Sequence, residues 1–366
     1  MPEAARPRAR SDALTARPPA FRVPTTLAAW TRQRRQIRRA LQRLLGGAPP
    51  RPARVRAVTV ARGHGTSYVR EDLLLDDGAG VQIPAVVLLP RGGTGPFPAI
   101  CWHHSHWGDY AVGLEELFEP WPVRETPAVA LTRRGYAVLA IDAWAFGARR
   151  GCGPGGRGET GRDEETSLAK AFLWQGTSLW AMMVRDDLIA LDYLAARPDV
   201  DARRIGATGM SMGSTRTWWL AALDERIAAA ACVACLTRAQ SLLASGALRR
   251  HGIYYFLPHL LRHFDTETVV SLIAPRPLLT LTGDRDGASP AAGVRTIQRA
   301  CARVYALYGA RQRFRGHLLP GVGHVYTPAM FRRVLAWLDQ HLARPRAREI
   351  TGGARRRRAS APRSGW

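Results

Sequence analysis

Residues 204–219 read RIGATGMSMGSTRTWW, with Ser211 between Gly209 and Gly213 in a G-x-S-x-G pattern. A chain with 35 Gly and 13 Ser in 366 residues would contain about 0.1 such matches by chance, so the setting of the motif decides its meaning. Small and apolar residues from Ile205 to Gly209 enter it as a short strand, and an apolar run from Met212 leaves it as a helix. A turn that sharp forces the residue at its apex into a strained backbone conformation, and flanking glycines remove the side chains that would collide there. The hydroxyl then stands at the carboxyl edge of a sheet, over a helix N-terminus that favours developing negative charge.

Working outward, the chain alternates strand and helix. YVREDLLLD (68–76) and VQIPAVVLLP (81–90) read as two strands around a turn at Asp76-Asp77-Gly78. FPAICWHH (97–104) is a strand, 124–134 a helix, YAVLAID (136–142) a strand and 178–196 a helix ended before Pro198. Beyond the Ser211 motif, IAAAACV, RPLLTLTG and RGHLLPG read as strands, with helices over 291–308 and 328–342. This order predicts an α/β fold with a mostly parallel central sheet, helices on both faces and an antiparallel N-terminal hairpin. The domain is expected over 25–344, with insertions at 147–165, opening on the Gly-rich stretch 147–161, and at 237–270. An amphipathic helix leads it, with Leu27, Trp30, Ile37, Leu41, Leu44 and Leu45 near helical spacing and Gly46-Gly47 as its stop. Residues 1–24 and 345–366, rich in Arg, Ala and Pro, read as disordered basic segments.

The formal charge of +24 raises the question of nucleic acid, but its distribution answers against a dedicated site. Residues 1–60 contribute +12 and residues 343–366 contribute +7, leaving +5 for the body. Lys170 is the only lysine, a composition bias that a GC-rich genome would produce. No apolar run reaches the ~18 residues of a membrane span, and the N-terminal stretch lacks the apolar core of a secretory signal. The five scattered cysteines, Cys101, Cys152, Cys232, Cys235 and Cys301, suit buried thiols in a reducing cytoplasm. Cys232 and Cys235 form a lone C-x-x-C within the apolar run IAAAACVACL, with no second pair for zinc, and read as core.

A serine hydroxyl is a weak nucleophile and needs a base, and the base needs a group to orient it. Both are expected from loops at the same sheet edge. LLTLTGDRDGASP follows a strand and offers Asp284 and Asp286, and LLPGVGHVYTP follows the last strand and offers His324. The order Ser211, Asp286, His324 is the one this architecture requires. Two backbone donors are expected for an oxyanion: Met212 N–H, and Ser105 N–H, with His104 next, from the loop after FPAICWHH. His103, His104, His106 and Asp109 also admit a metal-ligand reading, but no H-E-x-x-H helix or distant cluster completes such a site. Trp107, Trp144, Trp174 and Tyr254, beside Trp102 and Phe146, read equally as pocket lining or as core.

With these residues in view, the chain resembles the α/β-hydrolases of the dienelactone hydrolase and acetyl xylan esterase-like type. The resemblance rests on GMSMGS, RRGYAVLAIDAWAFG, LDYLAARPDVDARRIGATG, IAPRPLLTLTGDRDGASP and PGVGH, and spans roughly residues 27–342. It implies a serine carboxylesterase without metal or other cofactor. Two departures stand out: dienelactone hydrolases proper carry cysteine where this chain has Ser211, and relatives usually show His-Gly-x where it has His103-His104-Ser105. The expected reaction is hydrolysis of a small-molecule carboxylic ester through an acyl-enzyme, with no specific nucleic-acid partner. The competing readings are a prolyl oligopeptidase-like serine peptidase and a metal-dependent hydrolase built on the His103–His106 cluster.

Overall fold

The structure is a computed structural model that describes residues 18–106, 110–121 and 123–343. Strands β1 (Ala57–His64), β2 (Tyr68–Asp76), β3 (Gln82–Pro90), β4 (Phe97–His103), β5 (Ala137–Ile141), β6 (Val200–Met210), β7 (Ile227–Val233), β8 (Leu278–Gly283) and β9 (Phe314–Leu319) form one sheet. Their order is β1-β2-β3-β5-β4-β6-β7-β8-β9. The first three strands and the β3–β5 pair run antiparallel, and every pair from β5 through β4 to β9 is parallel. The expected α/β architecture with its antiparallel N-terminal hairpin is therefore present. The hairpin gains an unforeseen third strand, β1.

The helices are α1 (Leu27–Leu44), α2 (Pro127–Thr132), α3 (Gly161–Trp174), α4 (Leu179–Ala196), α5 (Met212–Leu223), α6 (Ala239–Ser245), α7 (Leu260–His263), α8 (Thr266–Ser271), α9 (Ala291–Leu307) and α10 (Pro328–Leu342). Side chains alternate across the strands, so each face of the sheet buries its own core. Ala99 and Cys101 of β4 join a cluster with α1, α4, α5 and α9, while Ile100 and Trp102 join one with α2 and α10. The leader helix turns Trp30, Ile37 and Leu41 into the first of these cores. Two of its arginines tie the helix to the domain as well: Arg34 donates to Leu272 O and Arg38 to Ala222 O, and both pair with Glu225.

Helix α5 is buried along nearly its whole length, and the small residues of IAAAACV in β7 let it approach the sheet closely. Buried charges pin it: Arg216 forms two hydrogen bonds, of 2.7 and 3.1 Å, with Asp187 of α4. The insertions are more ordered than the sequence suggests, since α3 begins inside the first and α6, α7 and most of α8 fill the second. Among the described residues no helix is long and apolar enough to cross a membrane. The basic segment 345–366, and residues 1–17 of the segment 1–24, lie outside the described residues, as do Trp107 and Asp109.

Candidate active site

Ser211 sits between β6 and α5 with φ 57° and ψ −117°, a left-handed backbone that a non-glycine residue holds only under constraint. Its N–H donates to Val233 O at 2.9 Å, tying the turn to the end of β7. The flanking glycines are required by close approach. A Cβ on Gly209 would stand 2.5 Å from the His103 carbonyl oxygen, and one on Gly213 would overlap that same oxygen. Met212 opens α5, so its N–H is one of the first-turn amides without an intrahelical acceptor.

His324 Nε2 lies 3.0 Å from Ser211 Oγ, and His324 Nδ1 lies 3.0 Å from Asp286 Oδ2. A carboxylate only accepts, so Nδ1 carries the proton and Nε2 faces the serine with its lone pair. Burial alone would raise the Asp286 carboxyl, but hydrogen bonds from His324, from the Ala288 amide and from Ser289 outweigh it and hold the group below the usual carboxylate range. Asp284 takes no part in this contact. Its Oδ1 accepts the Gly321 amide at 2.8 Å and its own N–H donates to Leu319 O, so it shapes the turn that carries His324.

The loop after β4 departs from expectation. The Ser105 amide is committed elsewhere: it donates to Glu116 Oε2 at 2.7 Å, and the Ser105 hydroxyl donates to the same oxygen at 2.9 Å. Ser105 N–H is thus not free to meet an oxyanion, which leaves His104 of the two expected donors. Burial pushes the Glu116 carboxyl up to about 7, against the lowering effect of those two bonds. Glu116 is itself held in place from below. The Asp142 carboxylate accepts Leu114 N–H at 2.7 Å and Ala148 N–H at 2.9 Å, crossing under Gly113 and Gly147, where a Cβ would collide with it.

The histidines of this loop turn to separate partners. Thr217 spends its O–H on Gly213 O, so it accepts from His103 Nδ1, and burial lowers His103 to about 4. The Ala143 amide donates to His104 Nε2 and His104 Nδ1 donates to Ser105 O, a neutral imidazole pushed well below its ordinary pKa by burial. His106 Nε2 meets Glu165 Oε1 at 3.0 Å and the Tyr110 hydroxyl at 3.1 Å. Among the described residues no three His, Cys, Asp or Glu side chains converge as a metal centre would need.

The aromatic candidates divide. Tyr254 is buried and stacks on His106 with ring centroids 5.0 Å apart. Trp144 is core, packed edge-on against Phe172 with the Arg149 guanidinium 3.7 Å above its ring. Trp174 is 94 % exposed at the end of α3, a position that lines no pocket wall, so its expected role is withdrawn. Cys235, read from sequence as core, is buried but also places Sγ 3.6 Å from Ser211 Oγ. Glu116 carried no local motif that would have marked it, and the C-x-x-C that includes Cys235 gave no sign that its thiol faces Ser211.

Comparison with known proteins agrees with this architecture. The Abhydrolase family matches residues 14–301. The chain is 38% identical over 312 residues to "Putative hydrolase YtaP" of Bacillus subtilis (strain 168), covering 84% of this chain and all of that one. Among solved structures, a "putative acetyl xylan esterase" from Bacteroides fragilis NCTC 9343 superposes with a TM-score of 0.66 at 19% identity, over 83% of this chain and 79% of that one. A glucuronoyl esterase from Solibacter usitatus superposes with a TM-score of 0.62 at 18% identity, over 89% and 99%. At these identities the structural likeness speaks for the fold.

Proposed function

The chain belongs to the Abhydrolase family, and on that premise we propose that it is a serine hydrolase of carboxylic esters working through an acyl-enzyme. The observation that carries this reading is the unbroken relay Ser211 Oγ, His324 Nε2, His324 Nδ1, Asp286 Oδ2, with both contacts at 3.0 Å. In the proposed reaction Ser211 Oγ attacks the ester carbonyl and its proton passes to His324 Nε2. Asp286 keeps the imidazole in the productive tautomer and stabilises its positive form. Met212 N–H and the His104 backbone N–H receive the oxyanion. The alcohol leaves with the proton from His324, and a water activated by the same nitrogen frees the acid.

A fluorophosphonate probe tests the central step. It is expected to label the wild type and not Ser211→Ala, and labelling that persists in the variant overturns the reading. A panel of acyl esters of graded chain length, acetylated sugars and peptide amides then separates esterase from peptidase. Turnover in the presence of a chelator is expected to be unchanged.

A further inference from the structure

Residues 236–264, which follow β7 and run to the start of α8, contain four arginines and three histidines but no aspartate or glutamate. Arg238 is neutralised by the buried Glu267, at 3.0 Å. Arg249, Arg250 and Arg262 are exposed, and no ion pair holds them among the described residues. The same segment is strongly apolar. Leu242, Leu243, Leu248, Tyr255, Phe256 and Leu260 line an open groove of about 450 Å³, within the size of a pocket that takes a small ligand or an acyl chain, roughly 300–1,000 Å³. Scattered apolar residues on a surface mean little. Here Leu248 is 37 % exposed and Phe256 41 % exposed on one groove, with Arg262 at its lip, Arg249 beside Leu248, and Ile253, also 41 % exposed, close by in sequence.

We infer that this insertion is a docking face for an anionic lipid surface, with the groove receiving acyl chain and Arg262 at its lip, together with the exposed Arg249 beside Leu248, meeting phosphate headgroups. Charge chooses among the possible occupants. A second copy of this chain, meeting the face through a two-fold axis, would set arginine against arginine with no carboxylate in the segment to relieve it. An anionic bilayer supplies both the apolar depth and the negative rim that the segment lacks. The face adjoins the Ser211 site: Tyr255 donates its hydroxyl to Thr237 O, two residues beyond Cys235, and Tyr254 stacks on His106.

The experiment is co-sedimentation of the full chain with phosphatidylglycerol vesicles and with phosphatidylcholine vesicles. Binding is expected to the first and not the second, and to weaken in about 0.5 M salt. The Arg-rich termini also attract anionic lipid, so the variants decide. Leu248→Asp/Phe256→Asp is expected to lower binding at least ~10-fold while circular dichroism and turnover of a soluble ester persist. Arg249→Gln/Arg262→Gln, confined to exposed side chains and so safe for folding, is expected to do the same. Folded variants that bind like wild type overturn the inference, as does a wild type that ignores both vesicles or one that self-associates through this face in sedimentation velocity.

Discussion

Asp286 Oδ2 lies 3.0 Å from His324 Nδ1, whereas Asp284, two residues earlier, points to the Gly321 amide. The two carboxylates therefore do different work on the same histidine: one meets its ring, the other its loop. Exchanging a triad Asp for Asn costs about 10⁴ in turnover in the serine-protease case. Asp286→Asn is expected to lose at least ~10²-fold in kcat with the fold intact. Asp284→Asn is expected to lose less than ~10-fold, about 1.4 kcal/mol of transition-state stabilisation. Kinetics of both variants, with circular dichroism, check the assignment. A deeper lesion at Asp284 would show that the acid has been misassigned.

Gly213 packs against the His103 carbonyl oxygen, with no room for a Cβ. Backbone cannot swing aside as a flexible side chain can, so Gly213→Ala must push β4 away from α5 or tilt the Ser211 turn. The expected result is a stability loss of about 1–3 kcal/mol in urea unfolding together with a fall in fluorophosphonate labelling rate. Full labelling at wild-type stability would mean that the approach is softer than the geometry states.

How far the sequence was legible follows from where each signal resides. The β6–Ser211–α5 turn could be read because its glycines, its apolar strand and its buried helix all lie within sixteen consecutive residues. Asp286 and His324 could be read because strand ends announce the loops that follow them. β1 could not be read: seven of its eight residues are exposed, and it has no alternation, being held only by pairing with β2. α3 was hidden by the glycines before it and by Glu164 and Glu165, whose burial runs against their chemistry. Ser105 was misjudged because its partner Glu116 lies eleven residues away in a 3₁₀ turn that nothing local ties to it. Trp174 was misjudged because residue type alone does not say which side of a helix faces in.

Cys235 lies 3.6 Å from Ser211 Oγ, yet it is buried and burial pushes its thiol up to about 12. At neutral pH it is almost wholly protonated, so it is a poor nucleophile and a poor target for alkylation. Cys152 is the one exposed cysteine of the five. Iodoacetamide on the native protein is therefore expected to modify Cys152 alone and to leave turnover intact. Mass spectrometry that finds Cys235 carboxamidomethylated, with activity lost in step, would contradict the closed environment described for it.

Glu116 offers a test of the loop after β4 that does not depend on activity. A carboxyl raised on folding from its ordinary value of 4.5 to about 7 binds more protons in the folded chain than in the unfolded one across that window. Its contribution is therefore favourable at low pH, declines as pH rises from 4.5 to 7, and leaves the folded state lower in stability by about 3 kcal/mol above it. Glu116→Gln keeps an oxygen to accept the Ser105 amide and hydroxyl but removes the titration. Urea unfolding at pH 5 and at pH 8 is expected to show a smaller loss of stability on raising pH in the variant than in the wild type, by up to about 3 kcal/mol. Asp142, raised by burial to about 6, titrates in both proteins and so cancels in the comparison. Parallel pH profiles would mean that Glu116 is already ionised in the folded protein across that window, the two bonds from Ser105 offsetting its burial.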